Sequence, residues 1–462
     1  MKRNQKAVAI GALLVIVCSC AAVLLLLGRA FSGKYVSSSA SSQTSSGVTE
    51  ESRGALNGEI MTPSAVTLSE AEDDMMPVYV HIPEVALPTA TGCNAVIPQQ
   101  GRESLTQEGM VELYEKMSEK VYNVAETPGE DQLYPVERIT VRGSQLTDNQ
   151  VVQVMTAFLH DHPEIFWISN RYGYSVSEDR TIVQLYAVAP ASECEKLSKR
   201  IVSEAEKILL KLPENASALE KEIFLYKTVI QYCEYDEEGA SNDQDWRAHS
   251  IVGAFLDGQA VCEGYSRAFQ LLLNRAGVPS MLVTGTAGGA HMWNLVRIDG
   301  QWYHADATWG DNGDRPVYQY LNVTDEMIRT DHEIYPTADQ AKDANGSQMY
   351  NLPLPSCTAV KANYYQAMGV HITSSDDTDT LAEAIERAAA KGEKSVYVYI
   401  DESLEYDEAI SALFLEAPYQ FMYAVRLANL SIDTLVNYNG CTYVEAEVSR
   451  GVEIRLSYEH GS

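Results

Sequence analysis

The sequence is poor in cysteine, and none of its eight cysteines has the paired Cys-x-x-Cys spacing of a structural zinc site. Eight cysteines in 462 residues are also too few for a disulfide scaffold. Basic residues are scarce, since 64 Asp and Glu against 34 Lys and Arg give a formal net charge of −30. Such a field repels polyphosphate. We therefore expect no nucleic-acid partner, and the sequence predicts neither a metal site nor a cofactor.

Long apolar runs are also missing, with one exception at residues 7–28, which carry no charge. At about 1.5 Å per helical residue this run is long enough to cross a bilayer core. Three basic residues precede it, so the positive-inside rule leaves the N-terminus in the cytoplasm and exports the rest. We expect residues 1–29 to form a cytoplasmic tip and a single-pass anchor in the cell membrane, with the bulk of the protein extracellular. The alternative is a secreted protein, or a lipoprotein attached through Cys20.

The remainder of the chain divides by composition and periodicity. Residues 30–77 are polar, acidic and poor in aromatics, which predicts a flexible Ser-rich stalk. A second change of pattern follows Cys357, where a helix over residues 380–391, a strand over 395–400 and a helix over 406–415 are predicted. The predicted folded regions are an N-terminal α/β region (78–215), a catalytic domain (216–358) and a small C-terminal α/β domain (359–462).

Residues 258–276 carry the first chemical motif. Apolar residues recur at helical intervals and Gly277 is placed to end the helix, so Cys262 lies in the first turn of a buried helix. The free backbone N–H groups and the positive end of the helix dipole favour a thiolate there. The apolar positions are Val261, Tyr265, Ala268, Phe269, Leu272 and Ala276.

The next motif is a predicted hairpin with strands over residues 291–298 and 301–308. Asp299-Gly300 is a two-residue turn signal, and it fixes a register in which His291 faces Thr308. His291 and Asp306 are then diagonal neighbours on one face, roughly 7–8 Å apart at the backbone. A carboxylate at that position can orient an imidazole and stabilise its protonated form.

Three short segments resemble the core motifs of the transglutaminase-like superfamily, which shares its triad with papain-type cysteine proteases. They are Gly-Gln-Ala-Val-Cys262-Glu-Gly-Tyr, His291-Met-Trp-Asn and Asp306-Ala-Thr-Trp. The similarity is clearest over residues 221–332 and is typical of exported transglutaminase-like proteins of Gram-positive bacteria.

The resemblance implies an α+β fold with a papain-like, transglutaminase-like core, in which a nucleophile helix packs on an antiparallel sheet. A helical N-terminal region and a small C-terminal α/β domain would flank it. It also implies roles for three residues: Cys262 as nucleophile, His291 as general base and then acid, and Asp306 as the residue that orients His291.

The oxyanion hole is less well defined by the motifs. The backbone N–H of Cys262 is the natural first donor. The second donor in this superfamily is usually a side chain upstream of the nucleophile, which leaves Trp246 and Gln259 as candidates. His304, one step along the same hairpin face, is predicted to be a structural histidine.

Two functions remain open from the sequence. The first is a cell-surface cysteine enzyme that transfers an acyl group from an amide through a Cys262 thioester, either to water (peptidase or amidase) or to an amine (transglutaminase). The second is a non-catalytic binding module on the same scaffold. The expected partners are peptides or proteins, including cell-wall peptides. The sequence leaves the oligomeric state open.

Overall fold

The structure is a computed structural model that describes the backbone of residues 35–37 and residues 60, 63–68, 77–96, 98–129, 131–242, 244–313, 315–337 and 350–459. The predicted anchor, residues 1–29, lies outside these. No helix in the described ranges is long and apolar enough to cross a membrane. The chain forms two compact units, one of Ser52–Met368 and one of Met1–Glu51 with Gly369–Ser462. Its mixture of helices and antiparallel sheet confirms the α+β class.

The N-terminal part of the larger unit is a sheet covered by helices. One helix begins with a complete capping box, in which Thr147 accepts from the Gln150 N–H and the Gln150 side chain accepts from the Thr147 N–H. Its helices are Gln100–Ser104, Glu108–Lys120, Asp148–Asp161 and Ala191–Leu209. Its sheet has the order Ser64–Thr67, Ile168–Ser177, Arg180–Ala187 and Tyr134–Pro135, with Ile139–Arg142 also on Arg180–Ala187 and a separate pair Tyr79–His81 with Asn123–Ala125.

The remainder of the larger unit places the Cys262 helix, Cys262–Arg275, on a five-stranded antiparallel sheet. Ser266 on this helix donates to the Met292 carbonyl at 2.9 Å, and Asn294 donates back to the Ser266 carbonyl at 3.0 Å. These bonds seat the helix on the strand that carries His291. The strands, in sheet order, are Leu321–Val323, Gln301–Ala305, Ala290–Ile298, Ser280–Thr286 and Glu333–Ile334. The other elements are helices Ala218–Tyr232, Ala307–Gly310, Asp325–Ile328 and Tyr364–Met368, a π-helical turn Gly253–Asp257, a 3-10 turn Gly239–Ser241 and the pair Glu234–Tyr235 with Gln259–Ala260.

The predicted hairpin register is confirmed over the length of the paired strands. Leu295 pairs with His304 and Ile298 with Gln301, and both turn residues have positive φ, as a type I′ turn requires. The second strand ends at Ala305 and does not continue to Thr308 as predicted. The Asp306 carboxylate accepts the Trp309 N–H and starts the short helix Ala307–Gly310. A side chain that caps a helix turns the backbone out of the ladder.

Part of the predicted stalk is folded. Ser64–Thr67 pairs in parallel with strand Ile168–Ser177, and Ile60 is 5% exposed in an apolar cluster with Cys262. Tyr35–Ser37 pairs with Thr442–Ala446. These segments have the composition of a flexible tether. Backbone pairing and the burial of Ile60 nevertheless fix them in the structure.

The larger unit also continues across the predicted boundary at residue 216. Arg267 on the Cys262 helix donates to the Leu159 carbonyl and Gln270 donates to the His160 carbonyl, both at 2.9 Å. These buried hydrogen bonds join the N-terminal part to the transglutaminase-like part, and composition gives no sign of them.

The C-terminal unit has helices packed on a mixed sheet. The predicted helix over 380–391, strand over 395–400 and helix over 406–415 are each present, the last as an α-helix that continues as a π-helix. The helices are Thr378–Lys391, Tyr406–Ile410 with Ser411–Leu415, and Gln420–Ala428, with 3-10 turns at Tyr438–Gly440 and Glu447–Ser449. The sheet order is Tyr35–Ser37, Thr442–Ala446, Gly451–Arg455, Ser395–Ile400 and Val370–Ile372.

Candidate active site

Cys262 is the first residue of its helix, as predicted, and it is 3% exposed. The turn at Ala248 and Ser250 lies directly against the first turn of this helix. A Cβ at Gly264 would lie 2.8 Å from the Ala248 carbonyl oxygen and 2.9 Å from that of Ser250. The glycine two residues after Cys262 is therefore required for this close approach.

Burial decides the protonation of the Cys262 thiol. Loss of solvent, followed by the charge of Glu263, raises the pKa of the thiol to about 12, although backbone N–H groups of Met292 and Glu263 act in the opposite direction. The prediction of a resting thiolate at the helix N-terminus therefore does not hold. The helix dipole acts on the thiol, but desolvation in this closed site outweighs it.

His291 and Asp306 are brought into direct contact. The His291 Nε2–H donates to Asp306 Oδ2 at 2.6 Å, and both side chains are fully buried. The other ring nitrogen, His291 Nδ1, is buried and has no hydrogen-bond partner. Because its Nε2 proton is held by the carboxylate, a neutral His291 presents Nδ1 as a free base. The backbone N–H of the next residue, Met292, acts to lower the pKa of the Cys262 thiol, which burial raises.

Asp306 is fixed from several directions. Its Oδ1 accepts the Trp309 N–H at 3.0 Å, and its backbone N–H donates to the Tyr320 carbonyl at 3.0 Å. The Tyr226 hydroxyl lies 2.9 Å from the Asp306 carbonyl oxygen. Burial alone would raise the pKa of the Asp306 carboxyl, but His291 and the nearby His332 hold that pKa well below its usual range. Asp306 is thus an ionised, rigidly held acceptor.

Gly310 makes room for the tyrosine that anchors Asp306. A Cβ at Gly310 would lie 1.8 Å from the Tyr226 hydroxyl oxygen, a distance that no relaxation of a rigid ring can relieve. The chain therefore needs glycine where the short helix ends, and the anchor on the Asp306 carbonyl depends on it.

Asp306 also contacts a second histidine, which no sequence motif indicated. His332 Nε2 lies 3.2 Å from Asp306 Oδ2, and its Nδ1 lies 2.6 Å from Asp331 Oδ1. His332 follows Asp306 by 26 residues in the chain and comes from a loop before the edge strand Glu333–Ile334. No periodicity links the two positions, so no local signal could have paired them.

His304 has the structural role that was predicted for it. The Trp293 Nε1–H donates to His304 Nδ1 at 2.9 Å, and since an indole can only donate, the His304 proton is on Nε2. That Nε2–H donates to Asp325 at 2.9 Å. Burial lowers the pKa of His304, which agrees with a neutral ring. Trp293 in turn stacks on His291 with ring centroids 5.8 Å apart.

The two oxyanion candidates are not joined to Cys262 by a hydrogen bond in the described part of the chain. Trp246 is half-buried, stacks on Phe166 with centroids 6.3 Å apart and lies under the Arg247 guanidinium. Gln259 is exposed in a two-residue strand. Their assignment as donors stays a prediction.

A buried ion pair lies directly beside Cys262. His249 Nδ1 and Glu263 Oε2 are 2.7 Å apart, with side chains 1% and 3% exposed. Burial alone would lower the pKa of His249, but its hydrogen bond and charge interaction with Glu263 raise that pKa above the usual value. The pair fixes the first turn of the Cys262 helix.

Two clusters bring three potential metal ligands together. In each, the ligand atoms lie within 4.8 Å of one another. In the first, His291, Asp306 and His332 are already joined by hydrogen bonds, each of which holds a proton where an ion would bind. In the second, His304, Asp325 and Cys357, the Trp293 bond fixes the His304 proton on the nitrogen that faces Asp325. Both clusters are therefore satisfied by protons.

Residues 206–307 match the family model of the transglutaminase-like superfamily. This range includes the Cys262 and His291 motifs and the first two residues of the Asp306 motif. Together, the match and the geometry of the helix and hairpin identify the class of this segment: residues 206–307 belong to a domain of the transglutaminase-like superfamily. No curated protein matches the chain.

Three solved structures are similar to parts of the chain. A crystal structure of a TGase is 17% identical over 39% of this chain and 53% of its own, with a TM-score of 0.22. A candidate cysteine protease from Cytophaga hutchinsonii is 16% identical over 30% and 61%, with a TM-score of 0.19. A candidate protease from Parabacteroides distasonis is 9% identical over 64% and 62%, with a TM-score of 0.19. The chain thus spans between half and two thirds of each of these structures.

Proposed function

We propose that the protein is a cysteine acyl-transfer enzyme that acts on amide bonds through a Cys262 thioester. The observation that carries this proposal is the state of His291. One ring nitrogen is held at 2.6 Å by a fully buried, ionised Asp306, and the other is a buried base without a partner. A structural histidine normally has both nitrogens satisfied, as His304 does. Two other buried histidines also have a nitrogen without a partner: burial lowers the pKa of His160 to about 3, which makes it a weak base, and, despite burial, Glu263 raises the pKa of His249.

The chemistry follows from the protonation states. Because the pKa of the resting thiol is raised to about 12, attack requires a base. His291 Nδ1 takes the thiol proton as Sγ bonds to the amide carbonyl carbon, and Asp306 stabilises the imidazolium that forms. His291 then gives this proton to the leaving amine as the C–N bond breaks, which leaves a thioester on Cys262.

The thioester is resolved by a second nucleophile. Water or an amine loses a proton to His291 Nδ1 and bonds to the acyl carbon, and Sγ leaves and recovers its proton from His291. Water makes the reaction a hydrolysis and an amine makes it a transamidation. The substrates we propose are peptides or proteins, including cell-wall peptides. This class is supported by the sequence of residues 1–29, which favours anchoring at the outer face of the cell membrane.

The test uses the full chain and a peptide-based electrophile that mimics an amide and traps thiols, with the labelled cysteine mapped by mass spectrometry. We expect labelling at Cys262 that is lost in Cys262→Ala. The matched control is Cys233→Ala, since Cys233 is equally buried at 3% exposure and its pKa is also raised to about 12, mainly by burial. Labelling at both cysteines, or at neither while the protein still binds peptide, would favour the non-catalytic module.

The two reactions are distinguished on a glutamine-containing peptide with and without a primary amine. Hydrolysis releases ammonia and leaves glutamate in both samples. Transamidation joins the amine to the peptide, and the product is seen directly by mass spectrometry. Formation of either product by the parent protein but not by Cys262→Ala supports the thioester.

A further inference from the structure

Asp306 accepts hydrogen bonds from two buried histidines on the same oxygen. His291 Nε2 lies 2.6 Å and His332 Nε2 lies 3.2 Å from Oδ2. A triad needs one imidazole on its carboxylate, and the second one is unexplained by the chemistry proposed above. His332 is 3% exposed, so it does not exchange this contact for water.

The partners of His332 determine its charge. Its Nε2 faces the Asp306 carboxylate and its Nδ1 faces the Asp331 carboxylate at 2.6 Å. An ionised carboxylate can only accept, so each ring nitrogen must carry a proton and the ring is an imidazolium. Burial alone would lower the pKa of His332, but the two carboxylates raise it to about 9. His332 is therefore a buried cation at neutral pH.

This cation faces other titratable groups besides its two carboxylates. The His291 ring centroid is 5.6 Å away and that of Tyr320 is 5.2 Å away. The positive charge of His332 also lowers the pKa of His304. Two indoles, Trp293 and Trp309, complete the enclosure at 5.2 Å and 4.8 Å. Little water separates His332 from His291, so a charge on one is felt by the other.

We propose that His332 is a positioning residue that supplies a fixed positive charge behind Asp306 and so moves the reactive pH range of the Cys262–His291 pair downward. A cation favours loss of a proton from every neighbouring group. It therefore favours the thiolate of Cys262. The effect is present while His332 is charged, below a pH of about 9, and it is lost as the pH rises through that value. This inference rests on the proposed function in taking Cys262 and His291 as the reacting pair.

The main test is His332→Gln. The glutamine amide can keep a donor on Asp306, but it carries no charge. The measurement is the rate of Cys262 alkylation by iodoacetamide as a function of pH, with the site confirmed by peptide mapping. Below a pH of about 9 we expect the profile to move to higher pH by about one pH unit. Above it, where His332 is neutral in the parent protein as well, we expect the two profiles to converge. Alkylation requires no substrate, so the test remains valid if no acyl transfer is found.

Two further variants separate charge from structure. Asp331→Asn removes the outer carboxylate and leaves both His332 and an acceptor for the Tyr320 hydroxyl, which donates to Asp331. We expect its profile to fall below that of the parent only as the pH approaches about 9, because His332 then loses its charge at lower pH. His304→Asn is the matched control, since it replaces a neutral histidine of the same hairpin. It should leave the profile in place.

The charge itself can be observed by NMR in the full chain labelled with 15N in its nine histidines. The His332 signal is assigned by its loss in His332→Gln, or by its shift in Asp331→Asn if the first variant does not fold. We expect protons on both ring nitrogens at neutral pH. A neutral His332 ring overturns the proposal, as does a His332→Gln profile that is lowered at every pH without moving along the pH axis. A shifted alkylation profile in a protein that turns over no amide would retain the role of His332 and refute the enzyme.

Discussion

The two compact units differ in what they bury. In the C-terminal unit, residues 369–459 bury few polar side chains, chiefly Ser449 and Glu453, within a core of aliphatic and aromatic residues. The transglutaminase-like part of the larger unit buries four histidines together with Asp306 and Glu263. These histidines are His249, His291, His304 and His332.

This difference indicates which part of the described chain carries the candidate chemistry. Removing an ionisable group from water costs free energy, and an apolar side chain of similar size would avoid that cost. In its described residues the C-terminal unit buries a single carboxylate, Glu453, which lies 3.1 Å from Arg455. The larger unit keeps a chain of them at one end of the Cys262 helix, and two of their ring nitrogens, His291 Nδ1 and His249 Nε2, are buried without a partner. Despite burial, Glu263 raises the pKa of His249, whereas His291 Nδ1 is the free nitrogen of a ring held by Asp306 and marks the candidate reaction centre.

The most demanding test of this comparison makes the same substitution at two histidines of the hairpin. His291→Asn removes the free base, and we expect turnover of any amide substrate to fall by about ten-thousand-fold or more. His304→Asn keeps an acceptor for the Trp293 N–H, and activity should stay within about tenfold of the parent. Steady-state kinetics on both variants measure the ratio. Equal losses would show that His291 has no special role.

Asp306→Asn should have the next largest effect. An amide cannot accept from two histidines and cap a helix with the same geometry, and it removes the charge that stabilises the His291 imidazolium. We expect a ten- to thousand-fold loss of turnover, on the order of that for a third triad member in a cysteine enzyme. Loss of this fully buried partner should also destabilise the larger unit by about 3 kcal/mol.

Asp325→Asn is the control for that change, because Asp325 pairs with His304 in the same way but its side chain is 36% exposed. Denaturant unfolding and kinetics are measured on both variants. A stable, fully active Asp306→Asn protein would remove Asp306 from both the mechanism and the core.

A smaller effect is expected at Ile60, which lies in an apolar cluster with Cys262, Leu282 and Met292. Ile60→Ala removes apolar contact area from the cover of the thiol, and local opening should become easier. We expect Cys262 to be alkylated about tenfold faster, measured with iodoacetamide under native conditions. Val66→Ala is the control, since Val66 is 39% exposed in the same segment of the chain. If both variants react at the parent rate, Ile60 does not cover the thiol.

The smallest effect on the site is expected from the other unit. Leu413 is fully buried in the apolar core of the C-terminal unit, and Leu413→Ala should cost that unit about 2–5 kcal/mol of unfolding free energy. Cys262 alkylation and its pH profile should be unchanged. Thermal unfolding, followed together with alkylation, tests whether the two properties separate. A slower Cys262 reaction in this variant would contradict the contrast between the units.

The local framework of the site follows from short patterns in the sequence. Helical periodicity placed Cys262 at a helix start, and a two-residue turn signal set the hairpin register that makes His291 and Asp306 neighbours. Both results depend on hydrogen bonds between residues close in the chain, which is why short patterns carry them. The same local logic found the main elements of the C-terminal unit.

The electrostatics of that site depend on tertiary contacts. The raised pKa of the Cys262 thiol, the cation at His332 and the cover at Ile60 each depend on groups that are distant in sequence. The strand end at Ala305, where the pattern predicted Thr308, depends on the cap that Asp306 makes. A buried charge responds to every group within several ångströms, whatever the separation along the chain, and to the water that packing removes. Sequence periodicity reports neither the neighbouring charges nor the lost water. The positions of Cys262, His291 and Asp306 were therefore predictable from the sequence, and their protonation states were not.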